Sequence, residues 1–162
     1  MIPTGIKLAI TGHREERIPN LIGLRIALTN LLEQCSPSLF IQGMANGVDL
    51  NSGVVALKAG IPVMSAKPWA GHTARQEDQY MYDWVWNRSE QRIVDEAKRY
   101  PGPWVYHKRN EYMVDHADAL LACWDGSEKG GTYACLQYAL RKQKPVYRLH
   151  MEKFELTLLS GQ

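Results

Sequence analysis

The chain has 162 residues, of which 45% are hydrophobic and 22% charged, and this composition is typical of one globular domain covering residues 1–162. Lys and Arg number 19 against 17 acidic residues, and the resulting net charge of +2 is too small by itself to indicate a nucleic-acid-binding protein. No apolar run approaches the roughly 20 residues that span a bilayer. The N-terminus also lacks a signal-peptide pattern, so we expect a cytoplasmic protein that does not bind membranes.

Apolar runs and helical spacing alternate through the first half of the chain. Strands are predicted at residues 6–10, 39–41 and 61–64, and helices at 20–34 and 47–59. The strand residues are almost all apolar, which is typical of parallel strands that are covered on both faces.

The second half continues this alternation after an irregular segment. Residues 76 to about 98 are predicted as a helix with a possible break near 87–89, and residues 104–106 as a short strand. The remaining predicted elements are a helix at 109–117, a strand at 119–124, a helix from 130 that ends before Pro145, and a strand at 145–149. The whole pattern predicts an α/β fold, a Rossmann-like three-layer sandwich with a mostly parallel sheet.

Three glycine-bearing turns follow predicted strands and precede predicted helices. They lie at residues 11–14, 43–49 and 130–132. Because the carboxyl ends of parallel strands meet at one sheet edge, where free helix amides favour anions, these turns predict a shared phosphate-binding pocket. The candidate ligand-binding residues are Gly12, His13, Arg14, Gly43, Met44, Asn46, Gly47, Asp49, Arg109, Asn110, Gly130, Gly131 and Thr132.

Several of these side chains have two interpretations. Asp49 either stabilises the helix dipole or accepts hydrogen bonds from a ribose, and Thr132 either caps its helix or contacts a phosphate. Arg109 either binds an anion or forms an ion pair within the protein. The candidate catalytic acids are Asp49, Glu111 and Asp125, and the histidines and cysteines show no metal-ligand spacing, so we predict neither a metal site nor a cofactor.

The region 76–98 carries more aromatic residues than one buried helix face would use. Its rings belong to Tyr80, Tyr82, Trp84 and Trp86. They either stack nucleic-acid bases or pack against a second subunit. Because the charge around them is mixed, we favour a homo-oligomer formed through this region.

Together the motifs resemble the SLOG superfamily of Rossmann-like nucleotide-binding proteins, which includes DprA/Smf, the LOG phosphoribohydrolases and the YspA/YpsA-like group. The matching stretches are Thr11-Gly12-His13-Arg14, Gln42 to Asp49, Lys108 to Asp115, and Trp124-Asp125-Gly126 followed by Gly131-Thr132. The resemblance covers most of the chain, and implies a single SLOG-like domain with a pocket for a nucleotide or a nucleotide-derived ligand.

The resemblance leaves the activity open among three hypotheses. The first is a protein that binds a nucleotide, as a sensor or a nucleotide-processing protein. The second is an N-glycosidic-bond hydrolase or transferase, although the position of the LOG glutamate holds Cys135 here. The third is a DprA-like module that binds single-stranded nucleic acid.

Overall fold

The fold was described from a computed structural model, which defines residues 1–159. Within these residues the strands are β1 (Lys7–Gly12), β2 (Leu39–Gln42), β3 (Val63–Trp69), β4 (Glu90–Asp95), β5 (Ala119–Trp124), β6 (Val146–His150) and β7 (Leu156–Leu158). The α-helices are α1 (Leu21–Cys35), α2 (Val48–Lys58), α3 (Gln79–Asn87), α4 (Trp104–Asp115) and α5 (Gly131–Arg141), with short 3-10 helices at Glu15–Arg17 and Gln76–Asp78. No helix in this described part combines the length and the apolar character needed to cross a membrane.

The strands form one sheet in the order β4-β3-β2-β1-β5-β6-β7. Every pairing is parallel except that of β6 with β7. The chain moves outward from β1 through β2, β3 and β4, and then returns to the other side of β1 with β5. The strand order therefore reverses between β1 and β5, and in such sheets ligands bind in the crevice beyond this point.

Side chains of β1 alternate between the two faces of the sheet. Leu8 and Ile10 pack with Leu24 and Leu28 of α1 in one core, whereas Ala9 packs with Met113 of α4 in the other. These side chains are nearly or completely buried. Helices therefore cover both faces of the sheet, which confirms the predicted three-layer α/β sandwich with a mostly parallel sheet.

Two sequence predictions in the irregular segment were wrong. The helix predicted for 76–98 ends at Asn87, and Glu90–Asp95 is instead a strand that pairs in parallel with β3. This strand lies at the edge of the sheet, where polar residues are tolerated, so its sequence lacks the apolar run of the inner strands. Residues 104–106, predicted as a strand, form the first turn of α4, and Pro103 is the N-cap of that helix.

Candidate functional site

A cavity of about 640 Å³ opens beside the carboxyl ends of β1 and β5. This volume is within the range of roughly 300–1,000 Å³ that is usual for small-molecule sites. The candidate residues that line it are Gly12, His13, Arg14, Asp49, Arg109, Asn110, Gly130, Gly131 and Thr132. The fold therefore brings the first and third glycine turns to one cavity, together with the start of α2 and the middle of α4.

The N-terminus of α5 supplies free backbone donors to this cavity. Gly130 adopts a φ of 94°, and Ala134 N is the first helical amide with a partner, donating to Gly130 O at 3.0 Å. Within residues 1–159 the amides of Gly131, Thr132 and Tyr133 have no hydrogen-bond acceptor, and no side chain caps the helix. These amides and the helix dipole favour an anion at this end of the cavity.

Arg109 is a buried cation on the wall of the cavity. Its Nε donates to Asn110 Oδ1 at 2.8 Å, and its Nη1 donates to Gly43 O at 2.6 Å. Among the described residues no carboxylate lies within ion-pair distance of the guanidinium. Every buried side-chain nitrogen there has a hydrogen-bond partner. Nη2 has no partner among the described residues, so it is not fully buried, and Arg109 is one of the residues that line the cavity.

Asp49 lies on the same wall, near Arg109 but not paired with it. Burial raises the pKa of Asp49, and the charge of Arg109 together with the backbone amides of Ala45 and Gly43 opposes this effect. The amide of Ala45 donates to Asp49 Oδ2 at 3.4 Å. A buried carboxyl group with a raised pKa can exchange a proton or hydrogen-bond to a ligand hydroxyl group.

The two arginines after β1 differ in their partners. Arg17 forms an ion pair with Asp125, whereas the guanidinium of Arg14 has no partner among residues 1–159 and is exposed at the cavity rim. Burial alone would raise the pKa of Asp125, but the amide of Ser127, the hydrogen bond from Arg17 and nearby positive charge lower it. Arg14 is therefore the free surface cation of this site, and Asp125 is a partner of Arg17.

Hydrogen bonds to His13 join three elements at the carboxyl ends of the central strands. Its carbonyl oxygen accepts the amide of Val48 at 3.1 Å, and its Nε2 accepts the amide of Asp125 at 3.1 Å. Burial lowers the pKa of His13, and the neutral ring is the form that accepts the Asp125 amide. The 3.3 Å contact between Nε2 and the Asp125 carboxylate would be an ion pair only for a protonated ring, so we assign the neutral form and a positioning role.

Three amides of the second glycine turn donate hydrogen bonds within the protein, whereas those of Asn46 and Gly47 have no acceptor among the described residues. Met44 N donates to Gln42 Oε1 at 2.6 Å, and Ala45 N and Val48 N donate to Asp49 and His13 as described above. Gly43, Met44, Asn46 and Gly47 do not line the main cavity, although Met44 and Asn46 line a smaller hollow beside it. Their role in binding a ligand stays a prediction.

The three candidate catalytic acids are placed differently. Asp49 lines the cavity, whereas Glu111 is exposed on α4. Asp125 is not among the lining residues and forms an ion pair with Arg17, which is one of them. Cys135, at the position of the LOG glutamate, is completely buried. Burial raises the pKa of this thiol to about 12, while a hydrogen bond with Thr11 opposes the rise, so the thiol is uncharged at neutral pH.

Sequence reasoning missed several residues that line the cavity. They are Ile10, Thr11, Arg17, Ala45, Pro103, Tyr106, His107, Tyr133 and Ala134. Tyr106 and His107 were missed because residues 104–106 were predicted as a strand. The signal that places them is Pro103, since proline near the first turn of a helix predicts that α4 begins there.

Comparisons with known proteins support the fold. No family model matches the chain. A segment of 59 residues, 35% of this chain, is 46% identical to YoqJ, an SPβ prophage-derived protein of Bacillus subtilis (strain 168), and covers 34% of that protein. The match therefore spans about a third of the curated relative.

Solved structures of other proteins have the same architecture. DNA processing protein A of Helicobacter pylori, described for its single-stranded DNA binding mode, superposes with a TM-score of 0.71 at 21% identity, over 94% of this chain and 68% of that one. DprA of Streptococcus pneumoniae gives 0.66 at 13% identity, over 89% and 50%. The molybdenum cofactor binding protein of Rippkaea orientalis gives 0.61 at 21% identity, over 91% and 77%.

These similarities show the fold. The chain has the DprA-like fold that its resemblance to the SLOG superfamily predicted, and that resemblance is confirmed at this level. At identities of 21% or less, the likeness carries no ligand or activity from those proteins to this chain.

Proposed function

We propose that the cavity beside β1 and β5 binds a nucleotide or a nucleotide-derived molecule through its phosphate. The observation that carries this proposal is the convergence of free α5 amides and of Arg109, whose Nη2 has no partner among the described residues, on one cavity of about 640 Å³. A buried guanidinium without a carboxylate partner is costly unless an anion accompanies it. A phosphate in the cavity supplies that anion.

Each part of a nucleotide has a matching group in this arrangement. The amides of 131–133 bind phosphate oxygens, and Arg14 and Arg109 neutralise their charge. Asp49 accepts a ribose hydroxyl, and Tyr106 and Tyr133 on the cavity wall offer rings to a base. The protein then acts as a nucleotide sensor or as a nucleotide-processing protein.

Isothermal titration with AMP, ADP, GMP, UMP and UDP-glucose tests the proposal. Arg109→Met removes the cation while keeping a long side chain, and we expect at least a tenfold loss of affinity for every ligand that binds. Arg141→Ala is the matched control, because Arg141 is an exposed arginine in the last turn of α5, away from the cavity. Absence of binding to all five ligands by the folded wild-type protein would refute the proposal.

A hydrolase or transferase that acts on the N-glycosidic bond is the second candidate. The observation that favours it is Asp49, a buried carboxyl group with a raised pKa on the cavity wall. The buried, uncharged Cys135 cannot replace the LOG glutamate. Base release from nucleoside monophosphates that is lost in Asp49→Asn would establish this activity, and no release by the wild-type protein would exclude it.

A DprA-like module for single-stranded nucleic acid is the third candidate. It is favoured by the similarity to the Helicobacter pylori protein with a single-stranded DNA binding mode. The aromatic rings proposed for stacking already have cationic partners, since Lys67 lies 4.4 Å from the Trp86 ring and Arg88 lies 4.4 Å from the Trp84 ring. Salt-dependent binding of oligo(dT) would support this function, and a flat titration at low salt would exclude it.

The proposal includes a homo-oligomer formed through region 76–98 in a cytoplasmic protein. β4 is an edge strand within this region and offers Ile93, which is 41% exposed, and Tyr80 of α3, in the same region, is exposed as well. The cysteines are all free and buried, as is usual in a reducing compartment. Light scattering of the wild-type protein and of Ile93→Lys tests the interface, and a wild-type monomer at high concentration would contradict it.

A further inference from the structure

A second, smaller hollow of about 240 Å³ lies directly beside the main cavity. The two share Arg14, Ala45 and Tyr106 in their walls. The two spaces are therefore neighbours, and one of the residues between them is Arg14, whose guanidinium has no partner within residues 1–159.

The chemistry of the smaller hollow differs from that of the main cavity. Its second arginine, Arg75, is held by Asp78 at 2.7 Å, and Glu16 adds a negative charge to the wall. The first turn of α2 adds Leu50 to this wall, and the Leu50 amide already donates to Ala45 O at 3.2 Å.

Uncharged hydrogen-bonding groups line the hollow instead. Burial, with the charges of Arg109 and Lys67, lowers the pKa of His72 to about 4, so its ring is neutral at pH 7. Nδ1 of His72 contacts the Tyr82 hydroxyl group at 2.8 Å, and Nε2 has no partner within residues 1–159 and is accessible. Asn46 uses Oδ1 to accept the Glu15 amide at 3.1 Å, which leaves its amide donors free. Such groups suit the edge of a nucleobase.

Tyr106 is a fixed aromatic wall between the two spaces. Its ring packs against Trp69 at 5.9 Å and Tyr100 at 6.1 Å, and the guanidinium of Arg109 lies 5.8 Å from it. The side chain is half-buried and lines both spaces. A ring held in this way offers a surface for stacking a base at little entropic cost.

We infer that the site recognises a dinucleotide, with one nucleoside in the main cavity, a linking phosphate at Arg14, and the second base in the smaller hollow beside Tyr106. This inference rests on the proposed function and names its class of ligand. The shared chemistry is two nucleosides joined through phosphate, whether by a phosphodiester or by a pyrophosphate.

Titration of AMP, the phosphodiester pApA and the pyrophosphate-linked diadenosine diphosphate tests the inference. We expect at least one of the two dinucleotides to bind the wild-type protein tenfold or more tightly than AMP. The better dinucleotide identifies the linkage. A wild-type protein that binds AMP and both dinucleotides equally would overturn the inference and leave the proposed function intact, whereas a failure to bind any of the three would count against both.

Blocking the smaller hollow supplies the second measurement. Thr73 is exposed at its wall, and Thr73→Trp fills the hollow without entering the main cavity. We expect this variant to keep the AMP affinity and to lose the tenfold preference for the dinucleotide. Tyr80→Trp, at an exposed position on α3 outside both spaces, is the matched control and should keep the preference.

Two further outcomes would overturn the inference. One is a Thr73→Trp protein with the wild-type dinucleotide preference, since the second base would then lie elsewhere. The other is a single-stranded hexanucleotide that binds a further tenfold more tightly than pApA, because the ligand would then continue beyond the smaller hollow. His72→Gln serves as a second variant if Thr73→Trp does not fold, and it should reduce the preference in the same way.

Discussion

The turn after β2 and the turn before α5 carry similar glycine signatures but use them in opposite ways. In the turn after β2, a Cβ atom on Gly47 would lie 2.4 Å from His13 O, and one on Gly43 would lie 2.7 Å from the Arg109 side chain. In the turn before α5, a Cβ atom on Gly130 or Gly131 would meet nothing within 4 Å. The turn after β2 packs tightly against its neighbours, and the turn before α5 is open to the cavity.

The backbone amides divide in the same way. In the turn after β2, the amides of Met44, Ala45 and Val48 donate to Gln42, Asp49 and His13, whereas those of Asn46 and Gly47 have no acceptor within residues 1–159; in the turn before α5, none of the amides of residues 131–133 has an acceptor there. Glycine in a strand-to-helix turn can therefore either allow close packing or leave backbone N–H donors free. Only the hydrogen-bond acceptor of each N–H group distinguishes these two cases.

The largest expected effect comes from Gly47→Ala. The residue has a φ of 92°, and the added methyl group would collide with backbone atoms of residues 13–15, which cannot move independently. We expect the free energy of unfolding to fall by roughly 3 kcal/mol or more, as measured by urea denaturation. Gly130 has a similar φ but open surroundings, so Gly130→Ala should cost less, about 1–3 kcal/mol from its backbone conformation alone. Equal losses would contradict the contrast between the two turns.

The next largest expected effect is the pH dependence of the free energy of unfolding that comes from His72. His72 has a pKa of about 4 in the folded protein against 6.5 for the free side chain. The unfolded chain therefore takes up a proton first, and the free energy of unfolding falls as the pH drops from about 6.5 to 4, by roughly 2–3 kcal/mol from this group.

Chemical denaturation of the wild-type protein and His72→Gln across this pH range measures that contribution. The variant should show a flatter profile, and the exposed His107→Gln is the matched control that should keep the wild-type slope. Part of the slope will remain in His72→Gln, because burial lowers the pKa of His13 as well. Identical slopes in all three proteins would mean that His72 is not held neutral.

In the turn before α5, Gly131→Pro should remove one free amide without disturbing the helix. Gly131 is the first residue of α5, where proline is favoured, and a Cβ atom there would meet nothing within 4 Å. If this amide binds phosphate, nucleotide affinity should fall about 10–100-fold in calorimetric titration, since a hydrogen bond to a charged group is worth roughly 1.5–3 kcal/mol. Unchanged affinity in the folded variant would remove the amide from the site.

The smallest effect is expected for Gly131→Ala, which keeps the amide. Alanine restricts the unfolded chain and meets no neighbour here, so the free energy of unfolding should stay the same or rise by about 0.5 kcal/mol. Thermal denaturation measures this change. A clear loss of stability would show that the turn before α5 is packed as tightly as the turn after β2.

The sheet was predictable because it depends on local patterns, and the first and third glycine turns meet as predicted, but of the second turn only Ala45 and Asp49 line the shared cavity. Apolar runs such as residues 119–124 predict inner strands, and β5 has the predicted bounds. β4 was not predicted, because an edge strand with the sequence Glu90–Asp95 has one solvent-facing side and no apolar run. β7 was not predicted either, because an antiparallel strand of only three residues is too short to show a recognisable sequence pattern.

Nine of the thirteen candidate residues line the main cavity, their roles in binding stay predictions, and their interactions could not be predicted from the sequence. Nothing in the sequence distinguishes Arg14, which is unpaired among the described residues, from Arg17, which is held by Asp125. The buried position of Arg109 depends on the distant Gly43 carbonyl oxygen, a contact between α4 and the end of β2. Such partners are set by tertiary packing, which residue spacing does not contain.

The two hydrogen bonds that His13 accepts, one at its carbonyl oxygen and one at its ring Nε2, bear on how fast a ligand can bind. They connect the end of β1 to the start of α2 and to the residue after β5. The rim of the cavity is thus already assembled, and little ordering is left for the moment of association. Capture should therefore proceed in a single diffusional step, with the same backbone geometry before and after.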